Sequence, residues 1–407
     1  MKTSYDLNLD LNLISNRNGF KSIVSVGDVA TALIDLSSEF SYSKIEVVIS
    51  ERDFSLSGST LTNALKSANA KTALLIIEES DFHYTSLEKS FSLDVDAVIA
   101  VGEESLLSAV RYYSSMHGVI CYAVPTTPCI ENILSSTVSL KTKDLPEIVK
   151  AEAFKKVFID QNIILKADLS YFAESYISVM SKLTALIDYK INCFLSGTSV
   201  DGGVFSLTKH AVNTLAKLTS YENYKMAILG AELILSSLDT EVFDGSGVEV
   251  VKNCLSIFTS GVSNSQKILT AFEKTAKIYH MYFSNDFSDL LSLPDYESDF
   301  EVLESQTGLE RGYFYKNLKI PSERRRKLIN LLMQKTRQDF KRETAIILAV
   351  LPSVIKIYKK LNNKERKNLS YKQIKNAVCL GAYLTDKTST LTLCRDEGIL
   401  KCANTFF

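Results

Sequence analysis

The sequence predicts an α/β domain on a doubly wound, Rossmann-like parallel sheet, followed by an all-helical C-terminal domain. Three observations predict it. Up to about residue 140, short apolar runs rich in Val and Ile alternate with helical stretches, as a sheet covered by helices on both faces demands. After Asp160 the strand signal nearly disappears and apolar residues recur at three- and four-residue steps, the period of a helix with one buried face. The chain has 407 residues, 46% of them hydrophobic, enough for two domains with a core each. The expected division is 1–160 and 161–407, with the two domains abutting and enclosing a cleft.

The expected strands are Ser22 to Val26, Ile45 to Ser50, Thr72 to Glu78, Asp96 to Val101 and Val119 to Val124. Breakers such as Gly27, Gly102 and Pro125 follow them, and ligands of such sheets bind beyond the carboxyl ends of the strands. In the helical half, Tyr176, Ile177, Met180, Leu183, Ile187 and Ile191 place an apolar stripe on a helix from Leu169 to Cys193. Thr344 to Tyr358 is the most apolar run, but it contains Pro352 and Lys356 and is shorter than the roughly 20 residues of a spanning helix. It is expected to be a buried helix.

Composition narrows the function classes. With 46 basic and 47 acidic side chains, a net charge of -1 supplies no bulk attraction to nucleic acid or to an anionic membrane surface. Residues 1–20 mix charged and amide side chains with leucines, so no signal-peptide core can be drawn through them. Seven widely spaced cysteines without a Cys-x-x-Cys pair argue against a disulfide framework or a zinc ribbon. A cytoplasmic protein without a membrane span is expected. The densest basic stretch, Ser322-Glu-Arg-Arg-Arg-Lys-Leu continuing through Lys335, Arg337, Lys341 and Arg342, reads as a solvated helix face with Leu328, Leu331 and Leu332 turned inward. The run Lys356 to Lys367 is of the same kind. No base-reading groups stand beside either, so acidic-partner docking ranks ahead of nucleic acid, which is not expected. Neither a Gly-x-Ser-x-Gly turn nor a Walker phosphate loop is present, which removes serine hydrolase and nucleotide hydrolase readings.

Three segments carry a resemblance. The first is Asp96-Ala-Val-Ile-Ala-Val-Gly-Glu-Glu-Ser with Val119-Ile-Cys-Tyr-Ala-Val-Pro-Thr-Thr-Pro-Cys-Ile-Glu-Asn-Ile-Leu-Ser-Ser. The second is Ser178-Val-Met-Ser-Lys-Leu-Thr-Ala-Leu-Ile-Asp-Tyr-Lys, and the third runs from Ala382 through Arg395-Asp-Glu-Gly-Ile-Leu. In order and spacing the chain resembles the glycerol-1-phosphate dehydrogenase branch of the iron-containing alcohol dehydrogenase and dehydroquinate synthase-like superfamily. That resemblance implies a dehydroquinate synthase-like fold, NAD(P) at the strand ends and a divalent metal held by one Asp and two His of the helical domain. It assigns Gly102, Ser105, Thr126 and Thr127 to the cofactor side, and Glu131, Lys182, Ser178 and Lys274 to the substrate cleft.

The sequence departs from that pattern where the chemistry should be. Family members carry a Gly-Ser-Gly-Thr turn, which lets backbone N–H groups approach the pyrophosphate. Here Glu103 and Glu104 follow Gly102, and a carboxylate about 5 Å from a phosphate repels it by on the order of a few kcal/mol at an effective dielectric near 20. The simplest reading of both is that they face solvent at a helix start and favour its dipole. Ser178 stands at the metal-binding Asp and Lys274 at a metal-binding His of the pattern. Asp188 lies ten residues further along, about 15 Å on a helix. His210 and His280 are seventy positions apart, and His83 and His117 belong to the first domain.

The expected protein is therefore a degenerate glycerol-1-phosphate dehydrogenase homologue with no metal site, no predicted cofactor and no catalytic residues. It would act by protein association, as a homo-oligomer or with a related subunit, or by binding a small ligand. The alternative is an NAD(P)-dependent oxidoreductase acting on a glycerol-phosphate-like polyol, with Lys182 supplying part of the lost positive charge.

Overall fold

The computed structural model describes residues 3–15, 23–35, 43–78, 94–140, 147–238, 242–285, 296–308, 310–317, 323–362, 367–385, 387–397 and 399–400. His83, Ser322 and Cys402 lie outside them. Two compact units emerge, one of Met1–Ser175 with Asn213–Thr240, the other of Tyr176–Val212 with Glu241–Phe407.

The first unit is organised by a six-stranded, all-parallel sheet of order β1-β8-β5-β4-β2-β3. Its strands are β1 Ile23–Val26, β2 Lys44–Ser50, β3 Lys71–Ile77, β4 Ala97–Gly102, β5 Ile120–Pro125 and β8 Lys156–Ile159. A separate antiparallel pair, β6 Thr137–Leu140 and β7 Glu147–Lys150, stands beside the sheet. Strands β1 to β5 coincide with the expected runs to within a residue or two. Strand β8, which lies between β1 and β5, was not among the expected runs, although it is as long as β1. Every residue of β4 is buried. Ile99 and Val101 join Val47, Ile49, Leu61, Leu65 and Leu33 in one cluster, while the alternation of a strand sends Val98 and Ala100 to the opposite face. A run without polar alternation is thus explained by burial on both faces.

Helix Glu104–His117 follows β4 and ends at Gly118 in the left-handed region, φ 66°, the usual helix stop. Arg111 on this helix is 1% exposed and clamps the following segment. Its guanidinium donates to the carbonyls of Asn132 at 3.2 Å and Ser135 at 3.0 Å, and also to that of Thr137. It packs 5.1 Å over the Phe154 ring. Burial pushes its pKa down to about 10.

The second unit is helical in its described residues. Gly247–Phe258 packs on Tyr371–Tyr383 and on Asn264–Ser284, which packs in turn on Glu323–Leu361. The long helix contains Pro352, and its Thr344 to Tyr358 portion is amphipathic rather than buried. Ile347, Leu351, Val354 and Tyr358 are inside while Ile346 is 62% exposed, because a single helical stripe cannot bury four sides. Leu332 and Ile329 turn inward there, but Leu331 is 40% exposed. The expected inward set was wrong by that residue. Asp188 anchors the unit: its buried carboxylate accepts from the N–H groups of Gly247 at 2.9 Å and Thr390 at 2.8 Å. It also accepts from the hydroxyls of Tyr279 and Thr390. Among the described residues no helix is long and apolar enough to cross a membrane, and the six described cysteines are free and buried.

Candidate functional site

The carboxyl ends of the parallel strands gather the polar side chains of the first unit. After β2 the chain reads Ser50-Glu-Arg-Asp, and Ser50 caps the helix that begins there by accepting from the Asp53 N–H at 3.0 Å. The Asp53 carboxylate, 1% exposed, accepts from the Ser50 hydroxyl at 2.8 Å and from the Thr126 hydroxyl at 3.1 Å. Arg52 reaches the other carboxylate oxygen with Nε at 3.3 Å. Its guanidinium also donates to the Tyr171 hydroxyl and lies over that ring at 5.3 Å. Burial works against the charged guanidinium, yet hydrogen bonds and charge from Asp53 hold its pKa above the ordinary value.

Glu103 occupies the N-cap of the helix after β4, in extended backbone. One carboxylate oxygen accepts from the Ser105 hydroxyl at 2.7 Å and the other from the Tyr171 hydroxyl at 3.1 Å, with Arg52 3.9 Å away. Glu104 accepts from the Asn132 side-chain amide at 2.7 Å. The expectation that both acids face solvent is therefore corrected. Each is half-buried and tied to an internal donor, because the segments after β5 and at residue 171 bring hydroxyl and amide groups over the helix start. The result is a chain of groups, Asp53 to Arg52 to Tyr171 to Glu103 to Ser105. Burial, reinforced by the Glu103 charge, raises the Tyr171 phenol above its usual range, so it stays a neutral donor to that carboxylate.

The cofactor-side candidates divide accordingly. At Gly102 an added Cβ would lie 2.6 Å from Leu106 Cδ2, so a larger residue there would require that side chain to shift. Ser105 is engaged by Glu103 and Thr126 by Asp53. Thr127, 1% exposed, has a hydroxyl with no hydrogen-bond partner, which leaves it the one cofactor-side candidate with an uncommitted side-chain donor. Glu131 is half-buried in the same unit. Ser178 and Lys182 lie one turn apart on helix Leu169–Ser196, both buried, and the Lys182 ammonium sits 5.4 Å from the centroid of the Phe243 ring. Lys274 is half-buried on Asn264–Ser284.

These donors do not fit a divalent cation. Among the described residues no three His, Cys, Asp or Glu side chains come together closely enough to hold one. His280 meets the Thr344 hydroxyl at 3.1 Å, His210 is exposed, and the Asp188 lone pairs already accept four hydrogen bonds.

Sequence reasoning passed over Arg52, Asp53 and Tyr171. A signal existed for the first two, which follow a strand by two and three residues, where parallel-sheet proteins bind ligands. Tyr171 had none, since only the fold brings it beside residue 103.

The model for the iron-containing alcohol dehydrogenase family matches residues 25–168, a stretch that takes in β2 to β8 and Arg52, Asp53 and Glu103 but not Tyr171. A glycerol-1-phosphate dehydrogenase (NAD(P)+) of Geobacillus thermodenitrificans is 24% identical over 180 residues, which are 42% of this chain and 45% of that one. Its counterpart in Bacillus licheniformis is 23% identical over 200 residues, 47% of this chain and 50% of the other. The chain thus spans about half the length of the curated relatives it matches. An iron-containing alcohol dehydrogenase of Thermotoga maritima superposes with a TM-score of 0.58 at 11% identity, over 97% of this chain and 98% of that chain. A glycerol dehydrogenase of Schizosaccharomyces pombe does so with 0.53 at 12% identity, over 86% and 94%.

Proposed function

We infer that this chain, a divergent member of the iron-containing alcohol dehydrogenase superfamily, keeps the fold but not the metal-dependent hydride transfer of its relatives. It works through protein association or by binding a small ligand. The observation that carries this reading is the Glu103 carboxylate at the start of the helix after β4, hydrogen-bonded by Ser105 and Tyr171. A helix start in this position offers backbone N–H groups to a phosphate, and here a fixed carboxylate stands in the same place. Ser178 and Lys274, at two ligand positions of the pattern, support the same reading, because hydride removal from an alcohol in such enzymes needs a cation on the oxygen.

The test is calorimetric titration with NAD and NADP, together with elemental analysis and an assay for reduction of dihydroxyacetone phosphate. The expected result is binding weaker than about millimolar, no stoichiometric zinc, nickel or iron, and no turnover. The double change Glu103→Ser with Glu104→Gly should then strengthen dinucleotide binding. Micromolar affinity in the unaltered protein, with turnover, would establish the oxidoreductase reading instead.

A further inference from the structure

The long helix Glu323–Leu361 turns one stripe outward along its second half. Arg342, Ile346, Ala349, Ser353, Lys356 and Lys360 recur at steps of four and three residues, which places them on one side, and all of them are exposed. On the opposite side Ile347, Leu351, Val354 and Tyr358 fill the core. The outward stripe has a pattern of charge. Between Arg342 and Lys356, about 21 Å of helix axis, the exposed residues Ala345, Ile346, Ala349, Pro352 and Ser353 are uncharged. The one charge on that stretch, Glu343, is held by Lys190 at 2.6 Å. Exposed cations stand at both ends, Lys335, Lys341 and Arg342 before it and Lys356, Lys359 and Lys360 after it. Asp339, 3.9 Å from Arg342 with both side chains in solvent, is the only other acid of residues 326–361.

This pattern, basic at both ends and uncharged in the middle, selects a partner. A second copy of the same helix is disfavoured by charge: crossing antiparallel at Ala349 sets Arg342 against Lys356 of the other copy, and parallel alignment sets each cation against itself. A nucleic-acid backbone carries charge along its whole length and would lay phosphates over the middle of the stripe, where no cation meets them. A bilayer surface takes up a helix by a broad apolar face, and Ile346 is the one large apolar side chain on this stripe. A helix with an apolar centre and acidic ends fits instead. Its carboxylates meet the two groups of cations, its apolar residues cover Ile346, and Ala349 and Ser353 are small enough to let a second helix approach closely.

We propose that the outward stripe from Lys335 to Lys360 is a docking site for an amphipathic helix of another protein, apolar in its middle and acidic at both ends. This rests on the association part of the proposed function and names its surface and the chemistry of its partner.

The test is fluorescence anisotropy of a labelled synthetic peptide of about 25 residues, with Leu and Ala in its centre and Glu at both ends, titrated with the full chain. Its counterparts are the same peptide with Lys in place of Glu, the same peptide with a serine centre, vesicles of phosphatidylserine, and duplex DNA. The acidic peptide with the apolar centre is expected to bind with a Kd on the order of 10 μM, more weakly as salt is raised. The Lys peptide should not bind, and the serine centre should cost about tenfold. Lys356→Glu with Lys360→Glu, and separately Ile346→Asp, lie at exposed positions and should each weaken binding by about tenfold with unchanged circular dichroism. No binding of the acidic peptide, or binding indifferent to these changes, overturns the proposal. Equal affinity for the serine-centred peptide overturns it too, since charge alone would then account for the attraction. Tighter binding of vesicles or DNA through the same residues assigns the stripe to that other partner and likewise overturns it. Dinucleotide titration and the turnover assay on the same preparations read the proposed function separately, because micromolar NAD affinity with turnover overturns that reading whatever the peptide does.

Discussion

Two carboxylates on this chain meet similar hydrogen-bond donors and answer to different physics. Asp188, in the helical unit, is fully buried with four donors on its two oxygens. Burial still outweighs those donors and raises its pKa to about 6. Glu103, in the sheet unit, keeps a quarter of its side chain exposed and meets two hydroxyls and a more distant guanidinium. Asp188 ties together four stretches of chain, around residues 188, 247, 279 and 390, and so acts as a structural anchor. Glu103 sits on a helix start at the carboxyl end of a strand, half-exposed and held by two hydroxyls. An acid's partners alone do not separate these roles; its access to solvent and its place in the fold do.

The largest effect expected from this contrast is on Asp188→Ala. It strands the Tyr279 and Thr390 hydroxyls and two backbone N–H groups, and should cost about 4 kcal/mol, measured by urea unfolding. Stability near that of the wild type would show that the network relaxes onto water and that the anchor is not one.

A pH experiment sharpens the same point. The Asp188 carboxyl titrates near 6 in the folded protein against 3.8 ordinarily, so between those values the folded state holds the proton more tightly than the unfolded chain. Stability contributed by this group therefore falls as pH rises from about 4 to about 6 and is level above, by up to about 3 kcal/mol. Comparing urea midpoints of the wild type and Asp188→Asn across that interval isolates it. A constant difference between the two would contradict the assignment.

In the sheet unit, Arg111→Met should cost about 2 kcal/mol by leaving the carbonyls of Asn132, Ser135 and Thr137 without their buried donor. Hydrogen exchange should quicken in residues 132–140 more than in β4, and uniform loss of protection would mean that the clamp is not local. The smallest effect is expected for Glu103→Gln, below about 1 kcal/mol, since a half-exposed acid with hydroxyl partners contributes little. A loss comparable to that of Asp188→Ala would erase the distinction and make Glu103 a structural residue.

Much of the sheet was legible because β1 to β5 are apolar runs that have to be buried on two faces, and that demand is written locally in Val and Ile. The helical half was legible for the same kind of reason, as the stripe from Tyr176 to Ile191 shows. Strand β8 was not: it is as short as β1, and its place between β1 and β5 comes from long-range pairing. The two acids after Gly102 were plain in the sequence, as was the neutral residue at position 178. Their surroundings were not.

By itself the sequence determined the α/β and helical character of its two parts and the resemblance to a known superfamily. These depend on patterns within ten or twenty residues, where periodicity and residue type suffice. Only the tertiary structure decided that Glu103 is held by Tyr171, that a Cβ at Gly102 would press on Leu106, and that Thr127 alone among the cofactor-side candidates keeps an unused hydroxyl. It also decided that β3, among strands of similar composition, stands at the end of the sheet order among the described residues. Each of these depends on which distant segment arrives beside a side chain, and hydrogen bonding and burial are properties of that meeting rather than of the residue.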